Sequence, residues 1–349
     1  RVKIAAAERT FLRSAAWRTL PATDRVERYL SALGITDVDS WETAKKIVAR
    51  LKRRHRSEWA ELERVFERRG EGDCSDDLYS LKNTSLHLSL GVGALHSGRV
   101  HRVFLSHFTP VSTPRLILDV GCENGLVACY HALMFPEAEI EGIDPGAKGI
   151  DRARELASLL GLSNARFAVG SLETLGADIS ARKFDLIVTT TLFQDCGLIP
   201  NHADDREKAG FVSPRPIEAL PQLQALRQTL TPDGEWVSLE RCRYPCELGW
   251  WLETATASGW SIDWARSERV DCADGSTPND LTLVVFRPGV ENVAPDAQRI
   301  RALWLSARFS RGEEVRGAGP WIFSDEAART CLEFINHKVL ELGSKATGC

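Results

Sequence analysis

Two acidic residues, Asp119 and Asp144, each stand at the end of a short apolar run, where they are able to bind a ligand together. Gly121 and Gly125 follow the first acid, and glycine lets the backbone turn sharply and lie against a bound molecule. In an open α/β sheet, ligands lie in the crevice outside the strand ends, where an acid can hold ribose hydroxyls. The spacing therefore predicts a crevice for a ribose-containing ligand.

The elements that must position these residues follow from the hydrophobic pattern. Residues 115–120 read as a strand, 126–135 as a helix, and 140–144 as a second apolar run that ends in an acid. Strand, glycine turn, helix and strand form a βαβ unit.

The residues of the turn discriminate between ligands. A dinucleotide fingerprint counted from Gly121 needs glycine at two positions that Glu123 and Leu126 occupy. A phosphate-binding loop of the G-x-x-x-x-G-K-[ST] type is absent from the sequence. A carboxylate beside a diphosphate would also repel it, whereas Asp119 and Glu123 together suit a positively charged ligand.

The run Leu116-Ile-Leu-Asp-Val-Gly-Cys-Glu-Asn-Gly125, with an acid ending the next strand, resembles the S-adenosylmethionine (SAM) site of class I methyltransferases. SAM carries a sulfonium and an ammonium, so the charge argument and the resemblance agree. Glu123 stands where that family more often has glycine, and Ser171 stands where it often has an aspartate that meets the adenine amino group. The resemblance implies that SAM is bound by Asp119, Gly121, Cys122, Glu123, Gly125, Asp144, Pro145, Ser171, Leu172 and Thr190.

Later elements follow the same family order. Further strands are predicted at 166–169, 184–190, 235–240, 261–270 and 281–286, and helices at 216–230 and 246–258. The run Leu230-Thr-Pro-Asp-Gly-Glu-Trp-Val reads as a turn into the fifth strand. The resemblance implies an α/β fold with a seven-stranded Rossmann-like sheet and helices on both faces. We expect three domains: an N-terminal helical cap (1–110), the SAM-binding domain (111–288) and a C-terminal helical extension (289–349), with helices at 296–310 and 323–342.

The first 110 residues have helical periodicity. Asp39 and Glu42 have capping-box spacing, and a helix is predicted from Ser40 to about residue 69. Its basic run 50–56 reads as a solvated face, because acidic residues follow it at pairing distance. The segment 85–108 carries four histidines, none of them at paired metal-ligand spacing with an acid, so no metal site is expected. We predict a helix there, beside the cofactor, and Tyr79 and His87 are candidate substrate residues.

The long loop after the fourth strand, residues 192–214, has the position and length of a functional loop. Phe193 and Gln194 are candidate substrate contacts there. A general base is needed only if the acceptor arrives protonated. The candidates for that base are Asp195, His202 and Glu240.

Composition sets limits on partners. The chain has 44 basic and 48 acidic residues and a formal net charge of −4. Its nine cysteines show no spacing typical of a disulfide framework. We therefore expect a reducing, cytoplasmic location, no membrane span and no nucleic-acid partner, and a homodimer remains possible. The predicted function is methyl transfer from SAM to an oxygen, nitrogen or carbon nucleophile of a small molecule in biosynthesis. Two alternatives stay open: a reaction of the aminocarboxypropyl arm, which would release methylthioadenosine, and a non-catalytic SAM-binding scaffold.

Overall fold

The computed structural model describes residues 2–38, 40–68, 75–175, 182–196, 198–199, 219–242, 245–271, 280–289, 299–300 and 303–304. Two compact units divide the chain, the first mainly up to Thr190 and the second mainly from Thr191 onward. Each unit is described by itself. The three-domain boundaries expected from the sequence stay a prediction.

Helices make up the described N-terminal part, as predicted. They are α1 (Ala6–Leu12), α2 (Ala15–Arg18), α3 (Ala22–Ala32), α4 (Trp41–Arg54), α5 (Arg56–Arg68), α6 (Ser75–Lys82) and α7 (Leu86–His107). The single helix predicted after residue 40 is in fact two, α4 and α5, separated at His55. The N-cap of α4 is Ser40, whose hydroxyl accepts the Thr43 N–H at 3.2 Å. The predicted cap, Asp39, lies outside the described residues. Buried apolar side chains of α4, α5, α6 and α7 form one core cluster.

Four parallel strands form the sheet of the first unit: β1 (Leu116–Val120), β2 (Glu139–Asp144), β3 (Ala165–Val169) and β4 (Phe184–Thr190). Their order is β3-β2-β1-β4, and Ile117 lies in register between Ile140 and Leu186. Helix α8 (Leu126–Met134) follows β1, and α9 (Ala147–Leu160) follows β2. Because the strands are parallel, their carboxyl ends meet at one edge of the sheet, which is where ligands bind in such folds.

The second unit contains α10 (Leu192–Asp195), α11 (Pro221–Gln228), β5 (Leu230–Glu240), α12 (Pro245–Ala257), β6 (Trp260–Ile262), β7 (Glu268–Asp271) and β8 (Asp280–Pro288). Strand β8 pairs antiparallel with β5, β6 and β7. The predicted turn at 231–234 lies within β5, and the strand predicted at 261–270 is two strands, β6 and β7. The described residues therefore contain eight strands where seven were expected. Parallel and antiparallel pairing together make the sheet mixed, and the α/β class is confirmed.

Buried aromatic rings stabilise the second unit. Trp236 stacks on Phe286 with ring centroids 4.4 Å apart and meets Trp251 edge-on at 5.5 Å. Most of the predicted C-terminal helices lies outside the described residues, although Ile300 and Leu303 are buried in helical positions. Within the part of the chain that the structure describes, no helix has the length and apolar content required to cross a membrane.

Candidate functional site

The loop between β1 and α8 has a backbone that glycine makes possible. Gly121 and Gly125 have φ values of 76° and 75°. A Cβ on Gly125 would lie 2.8 Å from the Ala153 Cβ and 3.0 Å from Phe167 Cε1, so no larger residue fits there without displacement. The N–H groups of Gly121 and Cys122 both donate to the Ile143 carbonyl, at 2.8 and 3.0 Å. These contacts place the loop against the carboxyl end of β2.

Asp144, the last residue of β2, faces the same loop. Its Oδ2 accepts the Glu123 N–H at 3.1 Å and its Oδ1 accepts the Gly146 N–H at 2.7 Å. Burial raises the pKa of Asp144, and these two backbone hydrogen bonds oppose that rise. A carboxylate has about four acceptor sites, so the two backbone N–H groups leave capacity for ribose hydroxyls.

Asp119 lies behind the loop and is only 2% exposed. Burial raises its pKa to about 7, the Ala128 N–H opposes the shift, and the charge of Asp144 adds to it. Its Oδ2 has no hydrogen-bond partner among the described residues. A buried polar atom without a partner is costly, and a buried negative charge more so. A ligand that carries positive charge would compensate this carboxylate, and SAM fits that requirement through its ammonium and sulfonium.

Glu123 adopts a φ of 45°, in the left-handed region that glycine usually fills. Its carboxylate pairs with Lys82 Nζ at 2.9 Å and accepts Asn83 Nδ2–H at 3.3 Å. Lys82 in turn lies over the ring of Tyr79, 4.1 Å from its centroid. The negative charge of this unusual loop residue is therefore balanced by the N-terminal helices. Tyr79, a predicted substrate residue, lies beside this ion pair.

A buried hydrogen-bond network extends the same connection. Ser89 Oγ donates to Asn83 Oδ1 at 2.6 Å and accepts Asn124 Nδ2–H at 2.8 Å. Asn124 Oδ1 accepts the N–H of Leu126, the first residue of α8, at 3.2 Å. The side chains of Lys82, Asn83, Ser89 and Asn124 were not identified from the sequence. Only the helix start at Ser85, which accepts the Leu88 N–H, has a local sequence signal.

Other predicted cofactor residues line the same edge of the first unit. Gly170 N donates to the Asp144 carbonyl at 3.1 Å, which places the turn after β3 beside β2. In that turn Ser171 N donates to Thr174 Oγ1 at 2.9 Å, and Leu172 is buried. Thr190, the last residue of β4, is half-buried and Pro145 is exposed. Cys122 is buried, and burial raises the pKa of its thiol, so its side chain is a packing group.

The remaining candidates are placed elsewhere or lie outside the described residues. His87 Nδ1 is 2.9 Å from His55 Nε2, and its Nε2 is 3.2 Å from Arg54 Nη1, so it faces the junction of α4 and α5. Burial, then the charge of Arg54, lowers the pKa of His87 to about 4. Phe193 is fully buried, 4.4 Å from the Trp251 ring, which gives it a structural role.

Of the predicted bases, only Glu240 has a described side chain. It is buried, and its Oε1 accepts the Leu192 N–H at 3.2 Å and the Ser238 hydroxyl at 3.3 Å. Gln194 and Asp195 lie in α10, but their side chains are outside the described residues. His202 lies outside them entirely. Within that set, no group of three His, Cys, Asp or Glu side chains is placed to hold a metal.

Comparison with known proteins supports the cofactor. Residues 115–239 match a family model described as a methyltransferase domain. The chain is 34% identical over 131 residues to a tRNA1(Val) (adenine(37)-N6)-methyltransferase of Porphyromonas gingivalis, covering 35% of this chain and 48% of the relative. It is 29% identical over 115 residues to a malonyl-[acyl-carrier protein] O-methyltransferase of Halalkalibacterium halodurans, covering 32% and 42%. The chain thus spans about half the length, or less, of these curated relatives.

Two further similarities complete the comparison. A ribosomal RNA small subunit methyltransferase G of Deinococcus radiodurans is 40% identical over 72 residues, covering 20% of this chain and 28% of the relative. The crystal structure of a TehB-like SAM-dependent methyltransferase from Corynebacterium glutamicum aligns over 54% of this chain and 87% of its own, with 22% identity and a TM-score of 0.35.

These relatives correct one prediction. The expectation of a small-molecule acceptor and no nucleic-acid partner is wrong, because relatives that match the chain are named as tRNA and rRNA methyltransferases. The physical reason is that net charge sums over the whole surface, whereas an RNA contact needs only a local basic patch.

The predicted enzyme class and cofactor are confirmed at the level of the domain. The family model covers β1 to β5, which includes the glycine loop, Asp119 and Asp144. Residues 115–239 match the methyltransferase-domain model, and SAM is the cofactor that this match supports.

Proposed function

We propose that this protein transfers a methyl group from SAM to a nucleophilic atom of its acceptor. The observation that carries the proposal is the buried carboxylate of Asp119, whose Oδ2 has no partner among the described residues. It lies behind the glycine loop of the segment that matches a methyltransferase domain. A buried carboxylate at this position favours a cationic ligand, which a neutral or anionic nucleotide does not supply.

The residues of the first unit have distinct binding roles in this proposal. Asp119 balances the positive charge of the cofactor, and Asp144 holds the ribose hydroxyls while the Glu123 and Gly146 N–H groups fix its orientation. Leu172 supplies an apolar wall at the end of β3. Bound SAM supplies an activated methyl group, so the protein contributes mainly alignment and exclusion of water.

The acceptor class comes from the relatives. Most are named as tRNA or rRNA methyltransferases, and one as acting on malonyl-[acyl-carrier protein]. We therefore place RNA first among the acceptors to be tested. Asp195, His202 and Glu240 remain the candidate bases for an acceptor that arrives protonated. Glu240 is buried, and its Oε1 accepts hydrogen bonds from the Leu192 N–H and the Ser238 hydroxyl.

The test has a binding step and a turnover step. Calorimetry of the full chain with SAM and S-adenosylhomocysteine measures binding. Incubation with methyl-labelled SAM and bulk tRNA, ribosomal RNA or malonyl-acyl-carrier protein measures transfer. We expect S-adenosylhomocysteine to form in step with the labelled acceptor. Formation of methylthioadenosine instead would contradict methyl transfer and would indicate a reaction of the aminocarboxypropyl arm. Tight SAM binding with no turnover on any acceptor would instead favour a scaffold.

A further inference from the structure

The outer face of helix α4 carries a concentration of positive charge. Six of the 14 residues of this helix are basic and one, Glu42, is acidic. All seven side chains are exposed, the basic ones being Lys45, Lys46, Arg50, Lys52, Arg53 and Arg54. The chain as a whole has a net charge of −4, so this face differs in sign from the average surface. A local field of this kind favours an anionic partner.

The neighbouring acidic residues leave part of this charge uncompensated. Lys52 pairs with Glu63, and Lys45 pairs with Glu42. Glu61 pairs instead with an arginine of its own helix, α5. Among the described residues, the pairing with acids expected for the basic run 50–56 therefore occurs only at Lys52. Three basic residues of α4 form no ion pair within the described part of the chain: Lys46, Arg50 and Arg53.

These three residues form one basic stripe along the helix. Lys46, Arg50 and Arg53 follow one another at spacings of four and three residues, and residues so spaced are neighbours on a helix surface. At a rise of about 1.5 Å per residue, the basic stripe is on the order of 10 Å long. One strand of a nucleic-acid double helix carries a phosphate about every 3.4 Å along the axis. The basic stripe therefore has the length to contact neighbouring phosphates of one strand.

An exposed tryptophan lies at the start of the same helix. Trp41 is 73% exposed, although tryptophan gains more from burial than most side chains. The Nζ of Lys45 lies 5.6 Å from the centroid of its ring. Five residues, or about 7.5 Å along the helix axis, separate Trp41 from Lys46. An aromatic ring beside basic side chains is the arrangement by which proteins stack unpaired bases while they bind the backbone.

The buried face of α4 argues against a lipid surface as the anionic partner. Ile47 and Leu51 are 8% and 1% exposed and belong to the core cluster that also contains side chains of α5, α6 and α7. A Cβ on Gly91 of α7 would lie 2.7 Å from Leu51 Cδ2, so the two helices are in close contact. A helix that binds a bilayer inserts its apolar face, and the apolar face of α4 is already used in this core.

The same core connects α4 to the cofactor loop. Leu78 of α6 belongs to the cluster that contains Ile47 and Leu51. Helix α6 ends at Lys82, which pairs with Glu123 in the glycine loop. A strand bound on α4 would therefore be held by a group of packed helices that also contacts the SAM crevice.

We propose that the outer face of α4 is an RNA-binding surface, in which Lys46, Arg50 and Arg53 contact phosphates and Trp41 stacks on an unpaired base. This inference rests on the proposed RNA acceptor and adds the surface on which that RNA is held. Phosphate contacts position a strand without reading its sequence. The α4 surface therefore supplies affinity, and the choice of the methylated atom is made at the crevice.

The first test measures RNA binding as a function of salt concentration. Fluorescence anisotropy of a labelled single-stranded RNA of mixed sequence gives the affinity of the unmodified chain and of the triple variant Lys46→Gln, Arg50→Gln, Arg53→Gln. We expect the triple variant to bind at least about tenfold more weakly at low salt. The slope of log affinity against log salt should fall by about 2, because each phosphate contact on a single strand contributes about 0.7.

A matched control separates a local contact from the loss of net charge. The triple variant Lys3→Gln, Arg13→Gln, Arg115→Gln removes the same number of charges from exposed positions of the first unit outside α4. We expect this control to keep the affinity and the salt slope of the unmodified chain. Equal weakening by both triple variants would overturn the inference, because it would indicate general electrostatic attraction without a defined surface.

Substitution of Trp41 tests the stacking contact. Trp41→Ala should weaken RNA binding about fivefold to a hundredfold and leave the salt slope unchanged, because stacking releases no counterions. Trp41→Phe should retain most of the affinity, because a phenyl ring also stacks on a base. Unchanged affinity in Trp41→Ala would refute the stacking role of this residue.

Further measurements distinguish a failure of this inference from a failure of the proposed function. Calorimetry with S-adenosylhomocysteine should give one affinity for all variants, because the substituted residues lie outside the glycine loop. Equal methyl labelling of RNA by the unmodified chain and the α4 triple variant, at RNA concentrations below saturation, would leave the RNA acceptor in place and refute the α4 surface. Labelling of malonyl-acyl-carrier protein without RNA binding would refute both and leave methyl transfer intact. Binding to phosphatidylserine vesicles in place of RNA would also overturn the inference.

Discussion

The ion pair between Lys82 and Glu123 connects an N-terminal helix to the cofactor loop, and its removal is the sharpest test of that connection. Lys82 Nζ lies 2.9 Å from the Glu123 carboxylate, and the two side chains are 10% and 21% exposed. Removing one partner of a fully buried pair costs about 3–5 kcal/mol, because the other charge is left uncompensated. Glu123 keeps Asn83 as a partner and some access to water, so we expect Lys82→Met to lower the free energy of unfolding by about 2 kcal/mol.

A matched control separates burial from charge. Lys45 pairs with Glu42 at the same 2.9 Å, but its side chain is 54% exposed and that of Glu42 is 71% exposed. Exposed pairs contribute about 0–1 kcal/mol, so Lys45→Met should change stability very little. Urea unfolding of both variants measures the difference. Calorimetry with S-adenosylhomocysteine should also show weaker binding for the Lys82 variant, because the substitution removes one of the contacts that hold the glycine loop in place.

A double variant tests whether the loss of stability comes from the uncompensated charge of Glu123. When both partners of a buried pair are replaced by neutral groups of similar shape, much of the loss is recovered, because no charge remains stranded. Glu123→Gln in the Lys82→Met background should therefore restore part of the lost stability. The reasoning would be refuted if Lys82→Met were no more destabilising than Lys45→Met, or if the second substitution destabilised the protein further.

Three further predictions concern the glycine loop and its acids. Asp144→Ala should weaken SAM binding about tenfold to a hundredfold, through loss of charge-assisted hydrogen bonds of about 1.5–3 kcal/mol, and unchanged calorimetric affinity would refute the role. Gly125→Ala should destabilise more than Gly34→Ala in urea unfolding: both glycines have a φ of 75°, but only the first would bring a Cβ to 2.8 Å from Ala153. Asp119 has a folded-state pKa raised to about 7, so stability without ligand should fall as pH rises from about 4 to 7, while SAM affinity should rise through pH 7. Asp119→Asn should flatten both pH profiles, and a wild-type affinity independent of pH would contradict this assignment.

The residues near the glycine loop could be predicted from the sequence because their signals are local. Apolar runs that end at Asp119 and Asp144 mark buried strands, and the glycines between them mark a tight turn. The strand predicted at 184–190 has the observed bounds for the same reason: a continuous apolar run becomes a buried central strand.

Other features depend on contacts that are distant in sequence. Nothing local indicates that Lys82 meets Glu123 or that Ser89 meets Asn124, because these pairs form only when α6 and α7 pack on the loop. Phe193 follows a strand end, as a substrate residue would, but tertiary packing places it among tryptophans.

Two predictions followed local sequence signals that the folded structure does not obey. Proline and glycine in the run Thr231–Gly234 favour a turn, yet the run lies within β5. The helical pattern continues through His55, but the helix is interrupted at this residue, and the His55 ring stacks on the His87 ring. The expectation of a small-molecule acceptor failed for a different reason. It was based on net charge, which does not describe a local surface, and the similarity to RNA methyltransferases contradicts it.

Side-by-side calorimetry of the unmodified chain with SAM, S-adenosylhomocysteine, ATP and NAD measures ligand selectivity at the β1–β2 crevice most directly. The buried Asp119 and the loop carboxylate of Glu123 predict that both sulfur-containing adenosyl ligands bind while the two phosphorylated nucleotides do not. Binding of ATP or NAD with no response to SAM or S-adenosylhomocysteine would contradict the assignment of this crevice to a cationic cofactor.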